Sequence, residues 1–479
     1  MSAGLVLFIL VAYFGLLILI GYFTTRKTDN ETFFTANRTS PWYLVAFGMI
    51  GTSLSGVTFI SIPGEVGSTS WTYLPLVVGN CIGYIVIAVV LLPLFYRLNL
   101  ISIYSWLGTR FGEKARLTGS FFFIISQLIG ASFRLFLVVG VLQLAFFNAA
   151  GVPFGVTVFI TLALVWIYTY RGGIKTIVWT DTLQTVFMLT AVVLTVVAIC
   201  RALQFDFRGM VTAIQDSPYS RIFDMDWRSS HNTVKQILSG IAITVAINGL
   251  DQNMMQKNLT CRTLKDCQVN MYSFSFLFFL TNLLFLAMGA LLYIFATVKG
   301  IGLPVKTDDV FAFLSLNHFG IVTGLFFLLG ITAAAYSSVD SSLTALTTSF
   351  SIDFLRIDPK DQNQKRRRIL VHLTFSLLMG FIIILFREIN SSSVVNGVLK
   401  AVGYTYGPLL GMFAFGLFTS WQVKEKYLPW ICLLSPLLSY LIHCHSEAWL
   451  WGYRFGFEIL LLNGLLCFLG LWGIRRKNS

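Results

Sequence analysis

The stretch ITAAAYSSVDSSLTALTTS, Ile331 to Ser349, decides how this chain is read. It follows the apolar run Val322–Gly330, and the two together are long enough to cross a membrane, which takes about 20 residues of helix. The stretch is crowded with hydroxyls and carries one acid, Asp340, with no Lys or Arg between Ile331 and Ser349. An acid at the centre of a membrane helix costs roughly 2.5–3.5 kcal/mol on insertion scales, so something must compensate it. A bound cation is one candidate. The plainer reading is that Ser, Thr and Ala only let helices approach closely. The rest of the chain decides between the two.

The chain has 479 residues, of which 56% are hydrophobic and 11% charged, against about 25% charged in soluble domains. Mean hydropathy is +0.76. This composition defines a polytopic membrane protein with little room for a separate soluble domain. The net charge of +13 does not point to nucleic acid, because Lys and Arg sit in short loops between apolar runs, as the positive-inside rule produces. The seven cysteines are odd in number and mostly lie inside apolar runs, so they form no disulfide framework. Cys261 and Cys267 fall in a basic loop without zinc-site spacing, and His443-Cys444-His445 reads as a chance cluster at a helix end. The apolar run Gly4–Phe23 has Arg26 and Lys27 after it, the reverse of a signal peptide, which places the N-terminus outside.

The apolar runs predict about thirteen membrane spans. A first flanking helix and inside loop occupy residues 1–40, and a five-helix unit occupies 41–200. An outside loop covers 201–233, and a second five-helix unit covers 234–419. Two flanking helices and a basic tail fill 420–479. The loop with Lys257, Arg262 and Lys265 is expected inside, as is the basic run Lys365-Arg366-Arg367-Arg368. An odd span count with an outside N-terminus requires an inside C-terminus, and the tail Arg475-Arg476-Lys477 agrees.

Two spans look broken. The second reads GMIGTSLSGVTFISIPGEVG from Gly48 to Gly67, where Pro63 removes a backbone donor and the glycines weaken the helix. The seventh reads GIAITVAINGLDQNMMQK from Gly240 to Lys257, with the turn signal Asn248-Gly249-Leu250-Asp251 inside it. Backbone groups freed at membrane depth must be satisfied by protein, water or ligand. Interrupted spans at corresponding positions of two inverted halves point to a transporter site.

Four segments carry a resemblance to the sodium/solute symporter family, which includes the sodium–glucose cotransporters. Trp179-Thr180-Asp181-Thr182-Leu183-Gln184 resembles its (Y/W)TDxxQ segment, and Ala334 to Ser341 resembles its A-x-x-S-S/T-x-D/T-S helix. Gly51-Thr52-Ser53-Leu54 through Pro63-Gly64-Glu65 is similar to its first broken helix, and Asp251-Gln252 with Gln256 to its second. The resemblance implies an all-α fold with a LeuT-like 5+5 inverted repeat and extra flanking helices. It implies a sodium site at the carbonyls of Gly56, Phe59 and Ala334 and the hydroxyls of Ser337 and Ser338. It also implies a second sodium position at Asp181, Asp340 and Ser341, which some members carry; many relatives have Thr or Ser where this chain has Asp340. Helical geometry is consistent with the first set, since positions 334, 337, 338 and 341 share one face.

For the solute, the matching positions are Thr58, Ser61, Asp251 and Gln252. Two cations add to them. Arg134 lies mid-span in Gly130-Ala131-Ser132-Phe133-Arg134-Leu135; an intramembrane Arg marks a functional position by default and suits bidentate carboxylate binding. The sialic acid members of the family use an arginine on this helix in that way. The alternative is an internal pair with Glu65, Asp251 or Asp340. Lys400 lies near a polar substrate position on the eleventh span, or else snorkels to the interface.

The expected function is secondary active transport, in the plasma (inner) membrane, coupling the inward sodium gradient to uptake of a small organic, anionic solute by alternating access. The partners are the lipid bilayer and the solute, and sodium is the co-transported ion. A neutral solute such as a sugar or amino acid, or a role as a membrane solute sensor, is the alternative. No nucleophile motif, paired metal ligands or phosphate loop suggests an enzyme.

Overall fold

The computed structural model describes residues 3–25, 29–143, 147–148, 151–229, 231–389, 392–450, 452–453, 455–456 and 458–476. Among these, the side chains at 3, 5–7, 10, 57, 137, 141–142, 389 and 392–402 are not described. Helix α1 (Ala3–Thr24) and the short α2 (Asn30–Thr35) lead into a bent pair, α3 (Trp42–Ser53) and α4 (Gly56–Thr69). Helix α5 (Leu74–Val86) continues through a wide π-turn, Ile87–Leu91, into α6 (Leu92–Arg97). Then come α7 (Ser105–Phe111), α8 (Glu113–Leu142), α9 (Phe154–Gly172), α10 (Ile174–Leu203) and the amphipathic α11 (Phe207–Gln215). A second bent pair follows: α12 (Thr233–Ile243), extended by a π-turn over Thr244–Gly249, and α13 (Gln252–Asn258). The chain continues through α14 (Leu264–Lys299), α15 (Asp309–Asn317), α16 (Gly320–Ser349), α17 (Lys365–Ile389) and α18 (Ser392–Phe418) to α19 (Leu428–Trp449) and α20 (Ile459–Gly473).

Eight helical runs among the described residues are long and apolar enough to cross a membrane. Each bent pair passes the same test when taken as one crossing, with a bend of 59° between α3 and α4 and 73° between α12 and α13. Val11–Thr24 and Ile459–Gly473 are shorter apolar helices. The molecule is thus a multi-pass membrane protein; the total of about thirteen crossings is a proposal drawn from the apolar runs, and the outside N-terminus one drawn from the basic loops.

Both breaks fall within the two spans that the glycine-rich and turn-rich sequences single out. The helix opens at Leu54 (φ −91°, ψ 78°) and at Leu250 (φ −109°, ψ 17°). A polar residue then restarts each helix by accepting from an otherwise orphan N–H of the first turn. Ser55 Oγ accepts from Thr58 N at 3.4 Å, and Asp251 Oδ1 accepts from Met254 N at 3.2 Å.

Helix α16 is the hub. Every residue from Phe327 to Ser349 is buried, because α3, α4, α8, α9, α10, α13 and α17 surround it. Its hydroxyls therefore face protein rather than lipid, the only way such a helix survives at membrane depth. The second bent crossing and α5 are held close by glycines: Gly79 on α5 sits against the Ile237 carbonyl of α12, and Gly240 on α12 against the Leu76 carbonyl of α5. Backbone cannot give way as a side chain can. Gly79→Val is accordingly expected to cost about 1–3 kcal/mol or more through overpacking, read as a lowered melting temperature of the detergent-solubilised protein.

Two basic residues correct the loop reading. Lys257, expected in an inside loop, is buried, because α13 turns into the bundle after its break and all seven of its residues are covered. Arg368, expected in the basic run of an inside loop, is also buried; its guanidinium lies 4.0 Å from the Phe33 ring centroid and donates to the Tyr170 carbonyl at 3.1 Å. Cys261 and Cys267 are likewise buried, and Cys267 Sγ donates to the Asn258 carbonyl at 3.0 Å.

Candidate cation and solute sites

The first broken helix packs against α16. Gly56 opens α4 directly against α16: a Cβ there would lie 2.9 Å from Val138 Cγ2 and 3.6 Å from Ala335 N. Phe59 is fixed by three rings, Phe311, Phe285 and Phe327, at centroid distances of 5.2, 5.7 and 5.9 Å. Ala334, Ser337 and Ser338 are all buried on the facing helix. Ser338 Oγ makes no hydrogen bond among the described residues, which leaves its oxygen for a ligand. Ser337 Oγ donates its proton to Asp181 Oδ1 at 2.5 Å, so its lone pairs are left for a cation. Hydroxyl and carbonyl oxygens are hard donors of the kind that suit an alkali cation.

Asp181 and Asp340 have different hydrogen-bond partners. Asp181, on α10, accepts from Ser337, from Thr52 Oγ1 at 3.1 Å and from Lys257 Nζ at 2.5 Å. Lys257 Nζ also donates to Thr52 Oγ1. Asp340 instead accepts from Tyr168 Oη of α9 at 2.9 Å and from Ser341 Oγ at 3.2 Å. No ion pair neutralises Asp340 among the described residues. The expected grouping of Asp181, Asp340 and Ser341 is therefore divided, with a lysine ammonium on one acid and a tyrosine hydroxyl on the other.

The solute candidates also sort into different settings. Arg134 stands mid-way along α8 with its Nε buried and without a hydrogen-bond partner, and it forms no salt bridge to Glu65, Asp251 or Asp340 among the described residues. Asp251 takes a hydrogen bond from Tyr406 Oη of α18 as well as capping α13. Thr58 Oγ1 lies 3.0 Å from Ser55 Oγ at the first break, and Ser61 is half-buried a turn further on. Gln252 is a correction. Its Nε2 donates to the Ile101 carbonyl at 2.7 Å and its Oε1 accepts from Ile103 N at 3.0 Å. Both ends of the amide are thus spent on tying α13 to the chain before α7. The Lys400 side chain lies outside the described residues.

Thr52, Lys257, Tyr168 and Tyr406 were not among the sequence candidates. Two buried acids, with no basic residue on α16 and those of α10 confined to its ends at Lys175 and Arg201, were the available signal for Lys257. A further network closes the end of the molecule where α16 finishes. Asp353 Oδ2 accepts from Ser102 Oγ at 2.6 Å and Ser349 Oγ at 3.0 Å, and Gln256 Nε2 donates to the Phe34 carbonyl and to Thr348 Oγ1, each at 2.8 Å.

Two bent crossings at matched positions, flanking a buried hydroxylated helix, are the construction of an ion-coupled secondary transporter. The sequence pattern of the sodium:solute symporter family matches residues 33–425. The chain belongs to that family. Among curated proteins it is 26% identical over 424 residues to the sodium/sialic acid symporter NanT of Aliivibrio fischeri, covering 85% of this chain and 82% of that one. It is 23% identical over 425 residues to the sodium/sialic acid symporter SiaT of Proteus mirabilis (86% and 84%). It is 24% identical over 430 residues to the human sodium/iodide cotransporter (87% and 65%). Among solved structures, a substrate-bound, outward-open Na+-coupled sialic acid symporter superposes with a TM-score of 0.84 over 99% of both chains at 20% identity. The nucleobase-cation-symport transporter MHP1 superposes with a TM-score of 0.61 over 91% of this chain and 92% of that one, at 12% identity. The fold is thus the LeuT-like one that the family resemblance implied. The protein is a sodium-coupled transporter of a small solute, and sodium is the ion it carries.

Proposed function

We propose that the solute is an organic anion whose carboxylate is received by Arg134, between the two broken helices, with Thr58, Ser61 and Asp251 nearby as polar contacts. The observation that carries this is the Arg134 guanidinium, set mid-membrane without a carboxylate partner among the described residues. A charge so placed requires a counter-charge in the working cycle, and the planar fork of arginine fits a carboxylate in a bidentate way. The names of the relatives point the same way, since sialic acid symporters and sodium-coupled monocarboxylate transporters are among them. Residues 41–200 and 234–419 then form the two inverted halves, each opening on a bent crossing.

Sodium in this reading is held by the carbonyls of Gly56, Phe59 and Ala334 and by Ser337 and Ser338, where α4 and α16 face one another. Reconstituted into liposomes, the protein is expected to accumulate a carboxylate solute only under an inward sodium gradient. Uptake of a neutral sugar in preference to any carboxylate, or uptake driven equally by potassium, would falsify the assignment. Ser338→Ala removes one hard oxygen from the cation, an interaction with a charge worth about 1.5–3 kcal/mol. The sodium concentration for half-maximal uptake is expected to rise about tenfold or more, with maximal uptake retained at saturating sodium. A screen of carboxylates, sugars and amino acids by thermal shift identifies the class independently, since native-state binding raises apparent stability.

A further inference from the structure

Asp181 occupies a position at which family resemblance alone suggests a second sodium ion, yet a different cation already lies against it. Lys257 Nζ is 2.5 Å from Asp181 Oδ2 and also touches Thr52 Oγ1. Thr52 Oγ1 is 3.3 Å from Ser337 Oγ, which donates to the other oxygen of the same carboxylate. All four side chains are buried: Asp181 and Ser337 are fully covered, and Lys257 and Thr52 are 1% and 7% exposed. A carboxylate and two hydroxyls converging on one point are the oxygen donors a sodium ion would take. Here the carboxylate and the Thr52 hydroxyl hold an ammonium of the same charge, with Ser337 on the other carboxylate oxygen.

We propose that the Lys257 ammonium is a tethered cation that fills the Asp181 position, so that sodium does not enter it. The inference rests on the sodium reading above and adds to it. Lysine differs from a free ion in being attached. It hangs on α13, the half-helix after the second break, while Asp181 is on α10, Thr52 on α3 and Ser337 on α16. One ammonium therefore joins both broken crossings to α10, and the Asp181 carboxylate carries the contact on to Ser337 of α16. The position is occupied at any sodium concentration, and the carboxylate keeps Ser337 oriented as an acceptor without consuming an ion from outside. Asp340 lies on a neighbouring turn of α16 but is held by Tyr168 and Ser341, so its hydrogen bonds do not compete for the ammonium.

The test is an equilibrium count of bound radioactive sodium per molecule of purified protein at saturating sodium. Lys257→Met fills the space without the charge, and it is expected to bind one sodium more than the unsubstituted protein. Asp181→Asn added to that background is expected to remove the extra ion. An unchanged count in Lys257→Met overturns the proposal. If that single variant does not fold, the uncharged double variant Lys257→Met/Asp181→Asn still decides. It should bind as many sodium ions as the unsubstituted protein, and one fewer means that Asp181 is a sodium ligand after all. A count of zero in the unsubstituted protein overturns the sodium reading itself, and is distinct from both other results.

Discussion

Arg134→Ala is expected to weaken solute binding by roughly 30-fold to several thousandfold while leaving sodium-dependent stabilisation of the protein in place. Truncating one partner of a buried, hydrogen-bonded charge pair costs about 2–5 kcal/mol, and each 1.4 kcal/mol is tenfold in Kd. Arg134 lies on α8 and the serine pair proposed to read sodium lies on α16, so the two variants remove different contacts. Arg134→Lys should restore little, because a point charge on a flexible stem lacks the planar fork that matches a carboxylate. The measurement is solute Kd by calorimetry, with and without sodium, for both variants. Unchanged affinity for a carboxylate in Arg134→Ala would assign the arginine to packing and remove the central support for an anionic solute. The loss should also be selective: an uncharged analogue of the same solute, bound through its remaining polar groups, should discriminate much less between the variant and the unsubstituted protein.

Asp181→Ala is expected to destabilise the protein by about 3–5 kcal/mol and to abolish transport. Removing one member of a buried ion pair leaves the other charge without compensation in a poorly polarisable setting. Here the orphan would be the Lys257 ammonium, whose remaining hydrogen-bond partner is the Thr52 hydroxyl. The same change removes the acceptor that orients Ser337, so sodium affinity falls together with stability. The double variant Asp181→Ala/Lys257→Met removes both charges, and should recover most of the lost stability without recovering transport. Thermal melts in potassium buffer separate the two: recovery in the double variant identifies the ion pair as the source of the loss, and equal loss in both would assign it to packing around α10.

Much of the architecture was legible because each signal had a physical cause confined to its own segment. Gly51, Gly56 and Pro63 weaken one helix, Asn248-Gly249 another, and both breaks lie in those spans. The hydroxyls of Ile331–Ser349 demanded a protein environment, and α16 is buried over that whole stretch. What could not be read was which distant polar groups meet. Lys257 precedes Arg262 and Lys265, and by charge alone it belongs with them in a loop. Only the 73° turn after Leu250 carries it inward. Gln252 offered an amide next to a break, but the backbone at Ile101 and Ile103 arrives to occupy it through contacts that no spacing encodes. Asp340 and Asp181 were grouped by the family resemblance, whereas Tyr168 on α9 gives one of them a hydrogen-bond partner of its own. Arg368 illustrates the same limit: a run of four basic residues holds one whose side chain is buried against Phe33.

The Lys257–Asp181 pair also has an electrical consequence. Membrane voltage does work only on charge that moves through it, about 2.3 kcal/mol per elementary charge per 100 mV. An acid and an ammonium that travel together sum to zero, so this pair adds nothing to the voltage dependence of the empty carrier as it resets. A bare carboxylate in the same place would have to be hauled back against or along the field on every turn of the cycle. With one sodium and one singly charged anion aboard, the loaded step would be electrically silent as well, and accumulation would follow the concentration gradient of sodium rather than the membrane potential.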